Sequence, residues 1–535
     1  MGMFLNPLVP AAAYKKIASS RFFVDKSRLL EEIIQSMDDN QKYICITRPR
    51  RFGKTVMANM IGAFFGKGAD SRDVFSGLRI AESKFFEKHL NQHDVIYIDF
   101  SRVSKNCSSY CEYIERIQDG LYGDLAAAYP ALDADSEEAL WDTFQKIFDR
   151  TGKSFVFILD EWDALFHLPF VSEKEKQEYL LFLKNLFKDQ IYAELVYMTG
   201  VLPITKYSSG SELNMFLEYD MATKIKYSEY FGFLDCEVDT LYRTYRETTP
   251  QPKITREDLH SWYDGYHTAA GLRIYNPRSV VCALTDNQLA NYWTSSGPYD
   301  EIFYYIRGNI DAVRDDMALM TAGERTASRI RSYAAASMEL KTREEIFSAM
   351  VVYGLLTYED GYVFIPNKEL MSQFQELLMT KDSLGYVHRL AAASEKMLQA
   401  ALSGDTETMA RILSYAHDTE SPILSYNSEA ELSAVVNLVY LAARDKYRVE
   451  REDRAGKGFV DFIFYPERKD EDGIILELKV DASPEEAVQQ IIDKKYLLRF
   501  KGRLGEKRKF TGRILAVGIS YDRKTKVHAC KVEEL

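Results

Sequence analysis

One short segment, residues 43–65, constrains the fold of this 535-residue chain more than any other. An apolar, β-branched run at 43–47 leads into Arg-Pro-Arg-Arg-Phe-Gly-Lys-Thr at 48–55, and a helical pattern follows at 56–65. A strand, a glycine-containing loop and a helix in this order suit phosphate binding, because backbone N–H groups at the helix N-terminus point at the anion. The segment predicts a parallel α/β sheet with a phosphate site at the end of its first strand.

The loop supplies the groups that a nucleotide requires. Gly53 lets the backbone approach the phosphates, Lys54 is placed to reach the β- and γ-phosphates, and the Thr55 hydroxyl is placed to ligate Mg²⁺. The candidate nucleotide-binding residues of the loop are Arg51, Phe52, Gly53, Lys54 and Thr55. We therefore expect ATP and Mg²⁺ as cofactors.

The loop departs from the standard G-x-x-x-x-G-K-[ST] pattern at its start. Arg48 stands where the first glycine belongs, and Pro49 contributes no N–H to a phosphate cradle. Taken alone, the loop also fits a surface turn with a solvated lysine. Arg50 and Arg51 fit two roles equally, direct contact with phosphate or pairing with a carboxylate from another domain.

A second strand with an acidic end favours the nucleotide interpretation. Residues 155–159 are apolar and lead into Asp160 and Glu161. Asp160 is expected to hold Mg²⁺ through water, and Glu161 to polarise the attacking water. A third strand ends at Thr199, which could sense the γ-phosphate, although a threonine at a strand end is more often structural.

The chain divides into three predicted domains. Residues 1–240 alternate apolar runs with helical patterns, and the runs at 43–47, 95–100, 155–160 and 195–199 indicate a P-loop NTPase sheet covered on both faces. Residues 241–425 are mostly helical, with a helix at 343–353 and a hairpin at 355–365 that resemble a winged-helix unit. Residues 426–535 follow the order α-β-β-α-β of a small separate α/β domain.

The last domain carries a second candidate metal site. Asp461 and Glu477 end neighbouring apolar strands and are expected to converge on Mg²⁺, with the Leu478 carbonyl as a third ligand. Lys479 shares a strand face with Glu477, where it would orient the attacking water. A surface ion pair is the alternative, since an isolated E-x-K triplet is common.

The elements around this site suit nucleic acid. Gln490 lies on the helix predicted at 484–500, on the same face as Lys494. From Lys494 to Lys531 thirteen Lys or Arg stand against two acids. A solvated basic surface is the alternative interpretation of that run.

Several strings together resemble a known family. The loop at 48–55, Asp160-Glu-Trp-Asp163, Thr199-Gly-Val201, Tyr230-Phe-Gly-Phe233, Trp262-Tyr-Asp-Gly-Tyr266, Tyr275-Asn-Pro277 and Tyr292-Trp293 resemble the AAA-ATPase-like family of bacterial proteins, in which arginine at the first-glycine position is typical. The segment at 487–496 is similar to the PD-(D/E)XK nuclease domain that usually follows. That resemblance implies that Gln490 faces the metal site and that Glu429 is a tentative further acid, with Glu431 equally available. The resemblance implies an ATPase core joined to a restriction-endonuclease-like domain. That nuclease family often has an arginine where this chain has Phe459, which would weaken phosphate binding but spare the metal site.

Composition and charge limit the kinds of protein and partner that remain. The net charge of −12 argues against a chain coated in nucleic acid along its whole length, and no apolar run reaches the length of a membrane span. Scattered cysteines and the lack of a signal-peptide pattern lead us to expect a cytoplasmic protein without a membrane partner. Nucleic acid is the expected partner, DNA before RNA, and a homo-oligomer stays open.

Two functions remain from the sequence. In the first, ATP binding or hydrolysis controls a Mg²⁺-dependent nuclease. In the second, a nucleotide-switched binding or signalling protein recognises nucleic acid without cutting it. The intact Asp461, Glu477 and Lys479 favour the first.

Overall fold

The computed structural model describes residues 2–130, 138–204, 212–293, 301–330, 340–418, 429–455, 458–466, 468, 470–498, 500 and 512–535. The chain forms two compact units. Unit 1 comprises Met1–Pro298 and Ser328–Leu370, and unit 2 comprises Tyr299–Ala327 and Met371–Leu535. The boundaries of the three domains stay a prediction.

The helices, in chain order, are α1 Val9–Ala18, α2 Leu29–Asp38, α3 Lys54–Phe65, α4 Arg72–Phe75, α5 Phe86–His89, α6 Tyr110–Ala128, α7 Leu140–Thr151, α8 Glu173–Phe187, α9 Asp235–Thr248, α10 Arg256–Tyr263, α11 Pro277–Asp286, α12 Glu301–Ile306, α13 Arg314–Thr321, α14 Arg343–Val352, α15 Lys368–Thr380, α16 Tyr386–Ala392, α17 Ser394–Ser403, α18 Thr406–Asp418, α19 Glu429–Val439 and α20 Pro484–Asp493.

The strands are β1 Tyr43–Thr47, β2 Asp94–Asp99, β3 Phe155–Asp160, β4 Ala193–Gly200, β5 Leu217–Tyr219, β6 Phe233–Leu234, β7 Tyr266–His267, β8 Arg273–Tyr275, β9 Thr326–Ala327, β10 Thr357–Glu359, β11 Tyr362–Phe364, β12 Tyr447–Ala455, β13 Gly458–Pro466, β14 Gly473–Val480, β15 Ile514–Asp522 and β16 Val527–Glu534.

The main sheet of unit 1 is parallel, in the order β2-β3-β4-β1-β5. One face packs against α6, α7 and α8, and the other against α1, α2 and α3. Both faces are therefore covered, which explains why the strands are continuously apolar rather than alternating. The four predicted strands are confirmed. Strand β5 was not predicted, because it has only three residues and a partly exposed pattern.

The aromatic strings between residues 262 and 293 serve as core and turn elements. Tyr263 and Tyr266 are fully buried. The Asn276 side chain accepts hydrogen bonds from the N–H groups of Arg278 and Ser279, and thereby caps α11. Gly265 has φ +101°, and a Cβ there would come within 2.0 Å of the Pro366 carbonyl oxygen, so only glycine fits.

The predicted helix and hairpin in the middle region are confirmed. Helix α14 precedes an antiparallel pair in which Thr357 lies opposite Phe364. Asp360 and Gly361 both have positive φ, as a two-residue hairpin turn requires. Assignment of these elements to a winged helix stays a prediction.

Unit 2 contains a mixed sheet in the order β12-β13-β14-β15-β16. Strands β14 and β15 are parallel and joined by α20, and the other neighbours are antiparallel. The small α/β domain is therefore confirmed, with two corrections. Strands β12 and β16 were missed, because edge strands with many charged residues lack the apolar signal. The last helix ends at Asp493 rather than at residue 500, since Lys495 has φ +56° and turns the chain.

Candidate functional site

The ends of three parallel strands meet at one edge of the main sheet. Thr47 at the end of β1 lies beside Gly200 at the end of β4, and Leu159 of β3 lies beside Met198 of β4. The loop at 48–55, the acids at 160–161 and Thr199 are therefore neighbours. Parallel strands bring their carboxyl ends to the same edge, which is where ligands bind in open α/β sheets.

The loop wraps around the Lys54 ammonium. Lys54 is 7% exposed and donates to the carbonyl oxygens of Arg48 at 2.9 Å and Pro49 at 3.0 Å. Burial lowers its pKa, while the nearby acids Asp163, Glu161 and Asp160 oppose that shift. Gly53 has φ +89° immediately before α3, a conformation that glycine adopts without steric strain because it has no Cβ.

Asp160 is held by hydroxyl groups. The Thr199 hydroxyl donates to Oδ1 at 2.5 Å, the Tyr97 hydroxyl donates to Oδ2 at 3.4 Å, and Thr55 also hydrogen-bonds the carboxylate. Burial raises the pKa of Asp160, and these contacts lower it only in part. A carboxylate beside a threonine hydroxyl is an all-oxygen donor set that fits Mg²⁺.

The residues after Asp160 have separate tasks. Glu161 has φ +51° and is exposed at the strand end, and its pKa is raised by desolvation and by the negative charge of Asp160. Asp163 accepts hydrogen bonds from the N–H groups of Val201 at 3.1 Å and Leu202 at 2.8 Å, which fixes the chain after β4.

Arg48 explains how this loop dispenses with its first glycine. Its side chain is 1% exposed, points into the core, and donates to the carbonyl oxygens of Thr47 at 2.9 Å and Tyr219 at 2.6 Å. Its guanidinium carbon lies 5.1 Å from the centre of the Phe231 ring. Burial lowers its pKa to about 10. The arginine thus fastens the loop to β5.

Arg51 and Phe52 point away from the cradle. The Arg51 guanidinium donates to the carbonyl oxygen of Tyr292. Phe52 is fully buried, edge-to-face with Tyr266 at 4.9 Å between ring centres. Their predicted contact with nucleotide stays a prediction, and for Phe52 it would come from the backbone N–H.

Sequence reasoning missed three residues of this edge: Tyr97, Asp99 and Asp163. Asp99 ends β2 directly beside Asp160, and its charge raises the pKa of both Asp160 and Glu161. The rule that parallel strands end at one edge could have found Asp99. Nothing in the sequence pattern distinguishes Tyr97, since a strand tyrosine is usually core.

The candidate metal site in unit 2 lies on β13 and β14, where Asp461 and Glu477 are inside the strands rather than at their ends as predicted, because both strands continue for several residues beyond the acids. The Leu478 N–H donates to the Asp461 carboxylate at 2.7 Å, and the Asp461 backbone N–H donates to the Glu477 carboxylate. Glu477 is 3% exposed, and burial together with the charge of Asp461 raises its pKa to about 7. The structure thus brings the two acids together.

Two further predicted residues contact Glu477. Lys479 lies 3.3 Å from its Oε1, and the Gln490 amide donates to the same oxygen. The buried Oε2 has no hydrogen-bond partner within the described part of the chain. An unpartnered buried carboxylate oxygen beside a second carboxylate fits a hard divalent cation. Groups of three or more His, Cys, Asp or Glu suited to a metal do not occur among the described residues.

Two arginines of the basic run are paired with acids of the same unit. Arg513 pairs with Asp472 at 2.6 Å, and the Arg523 Nε donates to Asp481 at 2.6 Å. Residues 501–511 of the basic run lie outside the described residues. The Glu429 and Glu431 side chains also lie outside them, although Glu429 begins α19.

These features define the class of the protein: a P-loop ATPase-type sheet followed by a restriction-endonuclease-like α/β domain. Residues 11–209 match the family described as predicted AAA-ATPase, and residues 428–529 match the PD-(D/E)XK nuclease superfamily. The resemblance drawn from the motifs is therefore confirmed. No curated protein matches the chain.

Solved structures resemble the chain only remotely. A Walker-type ATPase of Pyrococcus abyssi is 14% identical over 65% of this chain and 94% of its own, with a TM-score of 0.36. The ORC2 protein of Aeropyrum pernix, in ADPNP–ADP complexes, is 10% identical over 67% and 94%, with a TM-score of 0.30. A STAND protein with a tetratricopeptide repeat sensor from Pyrococcus horikoshii is 14% identical over 76% and 51%, with a TM-score of 0.24.

Among the described residues, no helix has the length and apolar character needed to cross a membrane.

Proposed function

We propose that this protein binds and hydrolyses ATP·Mg²⁺ in its N-terminal domain and that its nucleotide state controls a Mg²⁺-dependent nuclease domain. The observation that supports the ATPase most is the arrangement around Asp160. A buried carboxylate touches the hydroxyls of Thr55 and Thr199 at the strand edge where Lys54 is buried. Each of these four side chains can contact Mg²⁺ or phosphate, whereas a surface turn with a solvated lysine would not require them to be buried together.

The residues divide the work of hydrolysis between them. Thr55 and Asp160 would hold Mg²⁺, which when bound neutralises charge on the phosphates. Lys54 would leave the carbonyl oxygens of Arg48 and Pro49 to take a phosphate oxygen. Glu161 is exposed beside Asp160 with a raised pKa, which suits a group that orients water and accepts its proton. Thr199 would report the γ-phosphate through Asp160.

The nuclease proposal rests on Asp461 and Glu477. Their carboxylates and the Leu478 carbonyl would hold Mg²⁺, which when bound polarises the scissile phosphate. Lys479 would orient water and stabilise the developing negative charge. The Gln490 amide keeps Glu477 in place from the side of α20. DNA, before RNA, is the proposed substrate.

A non-cleaving binding or signalling protein is the second candidate. It is favoured by one observation, the internal pairing of Arg513 and Arg523, which reduces the charge available to a phosphate backbone. The two candidates differ in whether the acids turn over substrate or only shape a binding surface.

One pair of assays tests the proposal. ATP·Mg²⁺ should raise the melting temperature of wild type, because a ligand that binds only the folded state stabilises it. It should not raise that of Lys54→Ala, whose nucleotide site lacks the lysine. Single-stranded DNA, duplex DNA and RNA should then be incubated with Mg²⁺, with and without ATP. Cleavage should require Asp461 and Glu477, and its dependence on ATP should disappear in Lys54→Ala. Salt-sensitive binding without cleavage in Mg²⁺ or Mn²⁺ would favour the second candidate instead.

A further inference from the structure

The phosphate loop makes three contacts with distant parts of unit 1. Gly354 has φ +77° and packs so closely that a Cβ there would come within 2.6 Å of Pro49. The Tyr266 ring, which packs on Phe52, donates its hydroxyl to the Gly354 carbonyl at 3.1 Å. Arg51 donates to the Tyr292 carbonyl. The loop at 48–55 therefore contacts Tyr266, Tyr292 and Gly354, which lie outside the parallel sheet, as well as the sheet itself.

Glu369 is the charge at the centre of this contact region. It is 0% exposed and lies in the first turn of α15. Its Oε1 accepts hydrogen bonds from the Ser279 hydroxyl at 2.9 Å, the Tyr292 N–H at 2.7 Å and the Trp293 N–H at 2.9 Å. The backbone of Tyr292 thus contacts Glu369 through its N–H and Arg51 through its carbonyl.

This arrangement commits Arg51 to an acceptor outside the nucleotide cradle. The Arg51 backbone has φ +71°, so its side chain leaves the loop from a conformation that non-glycine residues rarely adopt. An arginine four residues before Thr55, which would ligate Mg²⁺, is well suited to phosphate, because its planar guanidinium matches phosphate oxygens. Phosphate and the Tyr292–Glu369 pair would therefore compete for one cation.

We propose that Glu369 is a positioning residue for the nucleotide site, which holds Arg51 on Tyr292 until the nucleotide phosphates take the guanidinium over. The inference rests on the proposed function and concerns the regulation of the same site. When Arg51 moves to phosphate, the Tyr292 carbonyl loses its donor and Glu369 loses its nearby positive charge.

The proposal predicts a specific pH dependence. Burial raises the pKa of Glu369 to about 7, against the opposing effects of Ser279, the two N–H groups and Arg51. The other titratable groups that feel its charge are Tyr263, Tyr266, Cys282 and Tyr292, and burial raises the pKa of each of them. Near neutral pH these four are uncharged, so protonation of Glu369 is the event that weakens its hold on Arg51.

The test measures ATP·Mg²⁺ affinity by calorimetry at about pH 6 and about pH 8, one unit on either side of the Glu369 pKa. The variants are wild type, Glu369→Gln, Arg51→Gln and the double variant. Gln preserves the acceptor oxygen and removes the charge. Glu369→Gln should bind ATP about tenfold more tightly than wild type at the higher pH, and equally at the lower pH. In the Arg51→Gln background the Glu369 substitution should have no effect at either pH.

Glu218→Gln provides a matched control. Glu218 is another glutamate of unit 1 whose pKa burial raises to about 7, and its Oε1 accepts from the Ile204 N–H. Its substitution should leave ATP affinity unchanged at both pH values. Equal pH profiles for wild type and Glu369→Gln would overturn the inference, and so would the same gain in affinity without Arg51 or in Glu218→Gln.

Failure of the proposed function gives a different result. If wild type binds no ATP, the proposed function is wrong and the exchange of Arg51 falls with it. The interaction between Arg51 and Glu369 is then tested by measuring the thermal stability of the variants without nucleotide. Non-additive effects of Arg51→Gln and Glu369→Gln would support the pair, and additive effects would refute it.

Discussion

Restoring the missing glycine of the phosphate loop should damage the protein. Arg48→Gly would recreate the standard G-x-x-x-x-G-K-T pattern, and that general pattern alone predicts a neutral or beneficial change. The structure predicts the opposite, because the Arg48 side chain fills the core beneath the loop and joins β1 to β5 through the Tyr219 carbonyl.

The size of the effect follows from what the side chain does. Removing a large buried side chain costs about 2–5 kcal/mol, and the freedom of glycine adds about 0.5–1 kcal/mol. The Tyr219 carbonyl loses its donor, which costs about 1–3 kcal/mol. Against this, burying a guanidinium is itself unfavourable by several kcal/mol. Its Nε and Nη2 have no hydrogen-bond partner among the described residues. The net loss should be about 3 kcal/mol, and Arg48→Met, which fills the space without charge, should lose less than about 1.5 kcal/mol.

Urea unfolding of the full chain, combined with hydrogen–deuterium exchange, would measure this loss. Exchange should accelerate in β1 and β5 of Arg48→Gly and stay unchanged in β15 and β16 of unit 2. Arg48→Met should exchange nearly as wild type does. A glycine variant as stable as wild type, or a methionine variant that is the less stable of the two, would refute the packing argument.

Three further predictions concern other residues. Glu161→Gln should retain ATP but hydrolyse it at least about 100-fold more slowly, whereas Asp160→Asn should also lose Mg²⁺-dependent binding; single-turnover kinetics and nucleotide retention separate the two. Asp163→Ala should lower the free energy of unfolding by about 2 kcal/mol, because the Val201 and Leu202 N–H groups lose their acceptor. Asp163→Asn keeps one acceptor oxygen and should lower it less; chemical denaturation measures both changes. Glu218 has a folded pKa of about 7, above its unfolded value, so the folded state holds its proton more tightly and wild type loses stability as pH rises through the interval between the two values. Melting of Glu218→Gln at several pH values should lack that loss, and parallel curves would contradict the assignment.

The sequence predicted those parts of the fold that have a strong local signal. The strands of the main sheet are buried on both faces, so each is a continuous apolar run that stands out from its surroundings. Strand β5 is too short, and β12 too highly charged, to give such a signal. The positions of β5 and β12 are determined by hydrogen bonding to β1 and β13. The sequence of one strand does not reveal which strand it pairs with, so these positions could not be predicted.

The candidate sites show the same division. Lys54 and Asp160 could be predicted because each follows or ends an apolar strand in a recognisable string. Glu477 could be predicted because it lies in an apolar strand two residues before a lysine. Glu369 could not, because its importance depends on burial beside residues 77 positions away in the chain. The loop at 48–55 also differs from expectation, since Arg51 contacts a backbone carbonyl where the sequence left phosphate and carboxylate open.

The two sites share a feature that affects how their lysine variants should be interpreted. Each sets a lysine near a buried carboxylate whose pKa burial raises, and the lysine charge opposes that rise: Lys54 for Asp160, and Lys479 for Glu477. Removing either lysine therefore favours the protonated acid as well as removing a cation from the site. Because a protonated acid holds a cation poorly, Lys54→Ala would lose Mg²⁺ affinity in addition to its phosphate contact. A Mg²⁺ titration of the nucleotide-free protein isolates the first loss, since no phosphate is then present to contact Lys54.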